Sequence, residues 1–159
     1  MIGQLKVLLR IKELKEQQAF RLVHTKRREV AEAASAIAIA REKVRENAAT
    51  LPAREDAIYR GIIGRVVNYD KIEETKNEML ALEREHTRLV DAVERATHVH
   101  ARLEKELAKA VQAHGKITKD RDKYIVLTEE VSSQFRAQTT LREEAEVEDI
   151  FSSRRRRSA

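Results

Sequence analysis

The stretch LPAREDAIYRGIIGRVVNYD, residues 51–70, interrupts a chain that is otherwise built from long charged segments. It contains the one proline of the chain, Pro52, and two of its four glycines, Gly61 and Gly64. Proline removes a backbone donor from a helix, and glycine accepts the positive φ that a tight reversal needs. The stretch therefore predicts a break between two helices, with the chain reversing direction within residues 52–69.

A seven-residue repeat precedes the break. One row consists of Ile2, Leu9, Glu16, Val23, Val30, Ile37, Val44 and Leu51, with Glu16 as the polar exception. The companion row consists of Leu5, Lys12, Ala19, Lys26, Ala33 and Ala40. Such a repeat is typical of a coiled coil, and its many alanines predict a narrow seam. Helix 1 is therefore predicted over about residues 2–51.

A second repeat follows the break. Its rows pass through Leu82, Leu89 and Leu103 and through Met79, Val93 and Leu107. Asp70 with Glu73 three residues later forms a capping-box pattern, which predicts that helix 2 begins near residue 70. The acidic run before residue 150 is unfavourable at a helix C-terminus. Helix 2 is therefore predicted over about residues 70–148, and residues 152–159 are predicted to be a disordered basic tail.

The two repeats and the short connection between them predict the fold class: all-α, a long two-helix antiparallel coiled-coil hairpin with a short irregular or helical tip. A composition with 37% charged and 4% aromatic residues agrees with this fold rather than with a compact globule. The hairpin is predicted to form one domain over residues 1–151, with its tip at residues 52–69. A turn centred near residue 60 predicts that helix 2 overhangs helix 1 beyond about residue 120.

The sequence indicates no site for chemistry, so no catalytic residue, cofactor or metal is expected and the protein is not expected to be an enzyme. It has no cysteine and no glycine-rich phosphate loop. His86, His100 and His114 share one heptad position, but neighbours in this column lie about 21 Å apart along a helix. That separation is too large for one metal ion, so polar seam positions are the favoured interpretation.

The positive charge lies mainly in the first helix. The net charge is +5, and residues 1–51 carry 11 basic and 6 acidic residues. The basic runs Lys26–Arg28 and Arg154–Arg157 lack interleaved aromatic residues, so solvated surfaces are favoured and no specific nucleic-acid binding is expected. No uncharged apolar run reaches the roughly 20 residues of a bilayer crossing, so no membrane span is expected.

Apolar residues concentrate in the predicted tip, and two interpretations of them stay open. They could fold back on the helix ends and close the hairpin, or they could form a docking surface. Two helices cannot enclose all of them together. The set is Tyr59, Ile62, Ile63, Val66, Val67 and Tyr69.

This layout resembles the YscO/FliJ family of bacterial type III secretion systems. The resemblance consists of a basic N-terminal helix, a mid-chain apolar tip, a longer charged second helix and the acidic segment LREEAEVEDIFSS at residues 141–153. It covers nearly the whole chain, although the run Arg154–Arg157 departs from the family pattern. The resemblance implies a cytoplasmic stalk protein, peripheral at the membrane-bound secretion apparatus and without chemistry of its own.

By resemblance, the helix ends would contact a hexameric secretion ATPase, and the tip would contact an export-gate protein or export chaperones. The tip contact would use the six apolar residues named above. The residues expected at the ATPase are Leu5, Leu8, Leu9, Val131, Phe135 and Leu141. A monomer in solution is expected for such a stalk. The alternatives are a general coiled-coil scaffold, which would form a dimer or larger assembly, and a basic nucleic-acid-binding hairpin.

Overall fold

Two helices make up nearly all of the computed structural model, which describes residues 1–158. Helix α1 spans Ile2–Arg60 and contains 59 residues. Helix α2 spans Tyr69–Ser158 and contains 90 residues. The helices pack against each other in antiparallel directions, and residues 1–158 contain no strand. The prediction of an all-α two-helix hairpin is therefore confirmed.

Contacts within the chain group into two units. The first, which we call the terminal unit, comprises residues 1–23 and the residues from Ala110 onward. The second, which we call the tip unit, comprises residues 24–109. Each unit contains a segment of α1 packed on a segment of α2. The prediction of one domain over residues 1–151 stays a prediction.

The seam between the helices follows the predicted heptad rows in both units. Every member of the two α1 rows is buried or half-buried, and so are the α2 rows from Met79 to Val131. The apolar core of the described residues is small, as the alanine-rich rows predict. It comprises Val23 and Ala110 in the terminal unit and Ala33 and Leu82 in the tip unit. Most of the remaining seam side chains are half-buried, so solvent reaches the edges of the interface.

Helix α1 continues through Pro52 to Arg60, nine residues beyond the predicted end at residue 51. The missing amide hydrogen of Pro52 leaves the Ala48 carbonyl without its helical donor, but both residues are exposed to water. Arg54 and Ile58 extend the two rows and are half-buried against α2. Packing after the proline therefore offsets the lost hydrogen bond, and the connection shrinks to residues 61–68.

Helix α2 begins at Tyr69, and Asn68 caps it rather than the predicted Asp70. The Lys71 amide donates to Asn68 Oδ1 over 2.9 Å, and the Ile72 amide donates to the Asn68 carbonyl over 3.3 Å. Asparagine is as good an N-cap as aspartate. Asp70 instead lies in the first turn, where its charge favours the positive end of the helix dipole.

Gly64 reverses the chain between the helices. Its φ of 71° is the one positive φ among the described residues. The Gly61 amide still donates to the Ile58 carbonyl over 3.1 Å, so Gly61 continues the turn that ends α1. The prediction that both glycines supply the reversal is therefore correct for Gly64 only.

The pairing register differs from the sequence prediction. In the terminal unit Lys12 Nζ lies 2.5 Å from Asp120 Oδ2, and half-buried positions on α2 continue to Ser132. The unpaired part of α2 therefore begins at residue 133, about a dozen residues later than predicted. The cause is the length of α1: its extra turns move the reversal from residue 60 to Gly64 and shift every pair accordingly.

Residues 149–158 are helical, in contrast to the predicted helix end near residue 148 and disordered tail at 152–159. Arg155, Arg156 and Arg157 lie in the last turn, where positive charge is favourable. The Ser153 hydroxyl also donates to the Asp149 carbonyl over 2.8 Å. The acidic run lies far enough from the end to avoid the unfavourable end of the dipole. Residue 159 lies outside the described part of the chain.

Candidate interaction surfaces

The six apolar residues predicted for the tip lie together around the connection in the tip unit. Ile62 and Val67 are half-buried, whereas Tyr59, Val66 and Tyr69 are exposed and Ile63 is 69% exposed. Arg60 and Arg65 are exposed beside them. The connection therefore buries part of the set against the helix ends and presents the rest to solvent. The half-buried residues agree with closure of the hairpin, and docking by the exposed residues stays a prediction.

A groove of about 430 Å³ runs beside the connection, between the last turns of α1 and the first turns of α2. Its apolar walls come from both helices, so it exists only because the chain reverses at Gly64. Ile72, which the sequence interpretation left out of the tip, supplies one wall. The lining residues are Glu55, Tyr59, Ile62, Ile72, Thr75, Lys76, Met79, Leu80 and Glu83.

The residues predicted for the ATPase contact divide into two kinds in the terminal unit. Leu5, Leu9 and Val131 occupy seam rows and are half-buried, so they hold the helices together. Leu8 is exposed, and so are Phe135 at 57% and Leu141 at 65%. The exposed kind offers most of its side-chain surface to a partner while the helices stay paired. A shallow cleft of about 470 Å³ adjoins Phe135, between the first turn of α1 and Ser132–Arg136 of α2.

The part of α2 beyond Ser132 has no partner within residues 1–158. Every residue from 133 to 158 is exposed. Besides Phe135 and Leu141, Val147, Ile150 and Phe151 present large apolar side chains there. Val147, Ile150 and Phe151 are spaced i, i+3 and i+4, which places them on one helix face. An unpaired helix with such a face is available to a partner.

Polar residues bridge the seam of the terminal unit. Glu16, the polar member of its row, lies with Oε1 2.9 Å from His114 Nε2 and Oε2 3.3 Å from Arg121 Nη1. One turn away, the Lys12 ammonium contacts Asp120 and lies 5.0 Å from the centre of the Tyr124 ring. The hydrogen bond to Asp120 raises the pKa of Lys12 above its ordinary 10.5. These contacts lock the register of the two helices.

The tip unit has equivalent bridges. Lys26 Nζ donates to Glu106 Oε2 over 2.9 Å, which raises the pKa of Lys26 and lowers the pKa of Glu106. Asn47 and His86 side chains approach to 3.1 Å. His86 and His114 are half-buried seam residues, as is His100, so the histidine column is confirmed as a set of polar seam positions.

The described residues hold no arrangement suited to metal binding or membrane crossing. Among residues 1–158 no three His, Cys, Asp or Glu side chains are placed to share a metal ion. No helix within that range combines the length and apolarity that a bilayer crossing requires.

Sequence reasoning missed one surface, on the first half of α1. Val7, Ile11 and Leu14 are exposed although they are apolar. Their spacing of i, i+4 and i+7 defines a single helix face and was available as a signal. This surface was overlooked because the heptad rows already account for the neighbouring Leu5 and Leu9 as seam residues. Periodicity alone also does not show which of two apolar faces contacts α2.

Comparison with known proteins supplies a family. The model of a protein family described as type III secretion protein YscO matches residues 5–153. No curated protein matches the chain significantly.

A solved structure has the same fold. The 2.8 Å crystal structure of the type III secretion protein YscO from Vibrio parahaemolyticus superimposes with a TM-score of 0.86. The alignment covers 93% of each chain, and 19% of the residues are identical. At this identity the match supports the two-helix architecture and not the roles of individual residues.

Proposed function

Because this chain belongs to the YscO family of type III secretion proteins, we propose that it links the secretion ATPase to the export gate and to export chaperones. In this role it works as a monomeric stalk on the cytoplasmic side of the membrane-bound apparatus and catalyses no reaction itself. Family membership makes it a component of a type III secretion system. The specific partners are part of the proposal.

The observation that carries the proposal is the presence of an exposed apolar surface in each unit. The tip unit presents Ile63, Val66 and Tyr69 around the connection. The terminal unit presents Leu8, Phe135 and Leu141. Exposed apolar residues in both units suit a protein that joins two partners.

The terminal unit is assigned to the secretion ATPase. Phe135 and Leu141 lie on the unpaired part of α2, and Leu8 lies on α1 beside the seam. The half-buried Leu5, Leu9 and Val131 support this surface by pairing the helices beneath it. The ATPase could therefore cover Leu8, Phe135 and Leu141 while the seam stays closed.

The ATPase assignment is tested with a double variant, Leu8→Glu with Phe135→Glu. Both residues are exposed, so the helix content and melting should stay unchanged while stimulation of the cognate ATPase falls at least tenfold. Ile39→Glu is the matched control, because Ile39 is an equally exposed apolar residue in the tip unit. Full stimulation by the folded double variant would contradict the assignment.

The tip unit is assigned to the export gate or chaperones. The groove beside the connection can accept an apolar side chain, and the exposed Ile63 and Val66 lie next to it in sequence. Arg60 and Arg65 would steer an acidic partner toward this surface. Tyrosine at positions 59 and 69 supplies contact area at little entropic cost.

The tip assignment is tested with Ile63→Asp combined with Val66→Asp. We expect the variant to melt like the parent protein and to lose capture of gate and chaperone proteins, while ATPase stimulation persists. Ile62→Asp serves as the structural comparison, since Ile62 is half-buried and its replacement should lower the melting temperature. Retained capture by the exposed-residue variant would show that the tip only closes the hairpin.

A further inference from the structure

An unpartnered apolar stripe runs along the first half of α1. Val7 is 59% exposed, Ile11 43% and Leu14 51%. Leu22, also exposed, continues the same face two turns later. We call these four residues the outer stripe. Helical spacing places all four within one band, in which the exposed Gln18 separates Leu22 from the other three.

The outer stripe faces away from α2. The seam residues of the same turns are Ile2, Leu5 and Leu9, which are half-buried against α2. At 3.6 residues per turn, Val7, Ile11 and Leu14 lie on average about 160° around α1 from the centre of the seam. Leu22 lies closer to the seam, next to the buried Val23. A flat surface could therefore cover the stripe without displacing α2. Neither the heptad seam nor the proposed ATPase contact uses these residues.

The charges around the stripe are all of one sign. Arg10 and Arg21 lie along one edge and Lys15 along the other, and all three are exposed. The acidic residues in the first 22 positions are Glu13 and Glu16. Glu16 lies in the seam, and Glu13 lies about 140° from the centre of the stripe. The surface that α1 presents to solvent here is therefore apolar with basic borders.

This pattern is confined to the start of α1. Between residues 24 and 58, Ile39 is the single large apolar side chain that is exposed. Glu29, Glu32, Glu42 and Glu46 also mix acidic charge into that segment. The basic and apolar surface thus belongs to a defined segment, residues 7–22, and does not follow from the overall charge of the protein.

We propose that the outer stripe binds an anionic lipid surface. Interfacial helices have this arrangement, with an apolar face that enters the acyl boundary and Lys or Arg at its borders. The long side chains of Arg10, Lys15 and Arg21 can extend to the headgroups while Val7, Ile11 and Leu14 lie deeper. A convex stripe one helix wide fits a planar partner better than it fits a protruding part of another protein.

Vesicle binding tests the proposal directly on the full chain. The protein is mixed with vesicles of phosphatidylcholine containing phosphatidylglycerol, or of phosphatidylcholine alone, and sedimented. The chain has no cysteine, so Leu14→Cys can carry a single polarity-sensitive dye. We expect sedimentation and a blue shift of the dye with the anionic vesicles, and neither with the neutral ones.

Charge variants show whether the outer stripe is the surface responsible. Each basic residue near an anionic surface strengthens binding about fivefold. Arg10→Gln, Lys15→Gln and Arg21→Gln together should therefore weaken partitioning about 100-fold. The matched control, Lys116→Gln, Lys119→Gln and Lys123→Gln, removes the same charge from exposed positions on α2 of the same unit. It should bind within about twofold of the parent protein.

Three results would overturn the proposal. The first is no binding of the parent protein to anionic vesicles, and the second is an equal loss in the control variant. The third is tight binding of soluble polyglutamate with no dye shift on vesicles, which would assign the stripe to an acidic protein. ATPase stimulation and gate capture are measured separately, so a failure here leaves the proposed function standing.

Discussion

At the scale of single residues, the polar members of the seam decide how the helices pair. Glu16 occupies a position where the other row members are aliphatic, and it contacts both His114 and Arg121 across the seam. Contact with both side chains forms in one register only, because a shift of one heptad would replace His114 by Thr128, or Arg121 by Leu107, beside Glu16. In coiled coils, polar seam residues commonly fix the register of the helices and lower their stability.

Replacing Glu16 tests this function of the polar seam. Glu16→Ala should lower the free energy of unfolding by about 1–2 kcal/mol, because His114 and Arg121 lose a partially buried partner. Glu16→Leu should recover stability by completing the aliphatic row, and Glu13→Ala should change it by less than about 0.5 kcal/mol. Urea unfolding followed by circular dichroism measures all three. Equal effects of the two alanine variants would show that the bridge is unimportant.

The Lys26–Glu106 pair predicts a dependence of stability on pH. Lys26 lowers the pKa of Glu106 from its ordinary 4.5, so the carboxylate stabilises the folded state above that value. This contribution is lost as the pH falls through the lowered pKa. The urea midpoint of the parent protein should therefore fall more steeply below pH 4.5 than that of Glu106→Gln. Parallel profiles for the two proteins would rule out a contribution from the pair.

At the scale of the helices, packing overrides the local preferences of proline and glycine. Helix α1 passes Pro52 because the residues after it reach the seam, and α2 passes Gly115 for the same reason. Gly64 differs because its φ is 71°. A glycine within a helix weakens it by leaving the unfolded chain more freedom, whereas a glycine at positive φ is needed there.

The two glycines should therefore respond to alanine in opposite directions. A Cβ at Gly115 would meet nothing within 4 Å, so Gly115→Ala should stabilise the protein by about 1 kcal/mol. Gly64→Ala should destabilise it by about 1 kcal/mol, because alanine at positive φ is strained. Thermal melting of both variants gives the comparison. Stabilisation by both would mean that the turn does not require the left-handed conformation.

At the scale of the whole molecule, the chain divides its residues between internal pairing and surfaces left for partners. Residues 75–131 of α2 carry the half-buried rows, whereas residues 133–158 are exposed throughout. Isolated helices gain little stability without packing. A long unpartnered helix is therefore a segment that another molecule would stabilise, which agrees with a component of a larger secretion apparatus.

Amide hydrogen exchange should reveal this division. We expect residues 133–158 to exchange at least 100-fold faster than the seam residues around Leu82 and Ala110, because local opening costs little where no partner is packed. Adding the cognate ATPase should slow exchange in the same segment. Uniform protection along α2 in the free protein would contradict the expectation.

The heptad spacing in the sequence was sufficient to predict two helices and the residues of the seam, including the histidine column, and the short connection predicted their antiparallel pairing. The helices and their seam depend on local periodicity, which is visible in the sequence without knowledge of distant contacts. The family resemblance was also visible in the sequence, and the family match over residues 5–153 confirms it.

The tertiary structure alone decided how far each helix extends, the register between them and which apolar faces stay open. Pro52 gave the wrong boundary because the packing beyond it involves residues of α2. Asp70 was the wrong choice between two nearby capping residues, since Asn68 accepts the Lys71 amide by a local contact. The register follows from the turn at Gly64 and from bridges such as Lys12–Asp120, which join residues far apart in sequence. The outer stripe of α1 could be identified as exposed only after α2 had been placed on the opposite face.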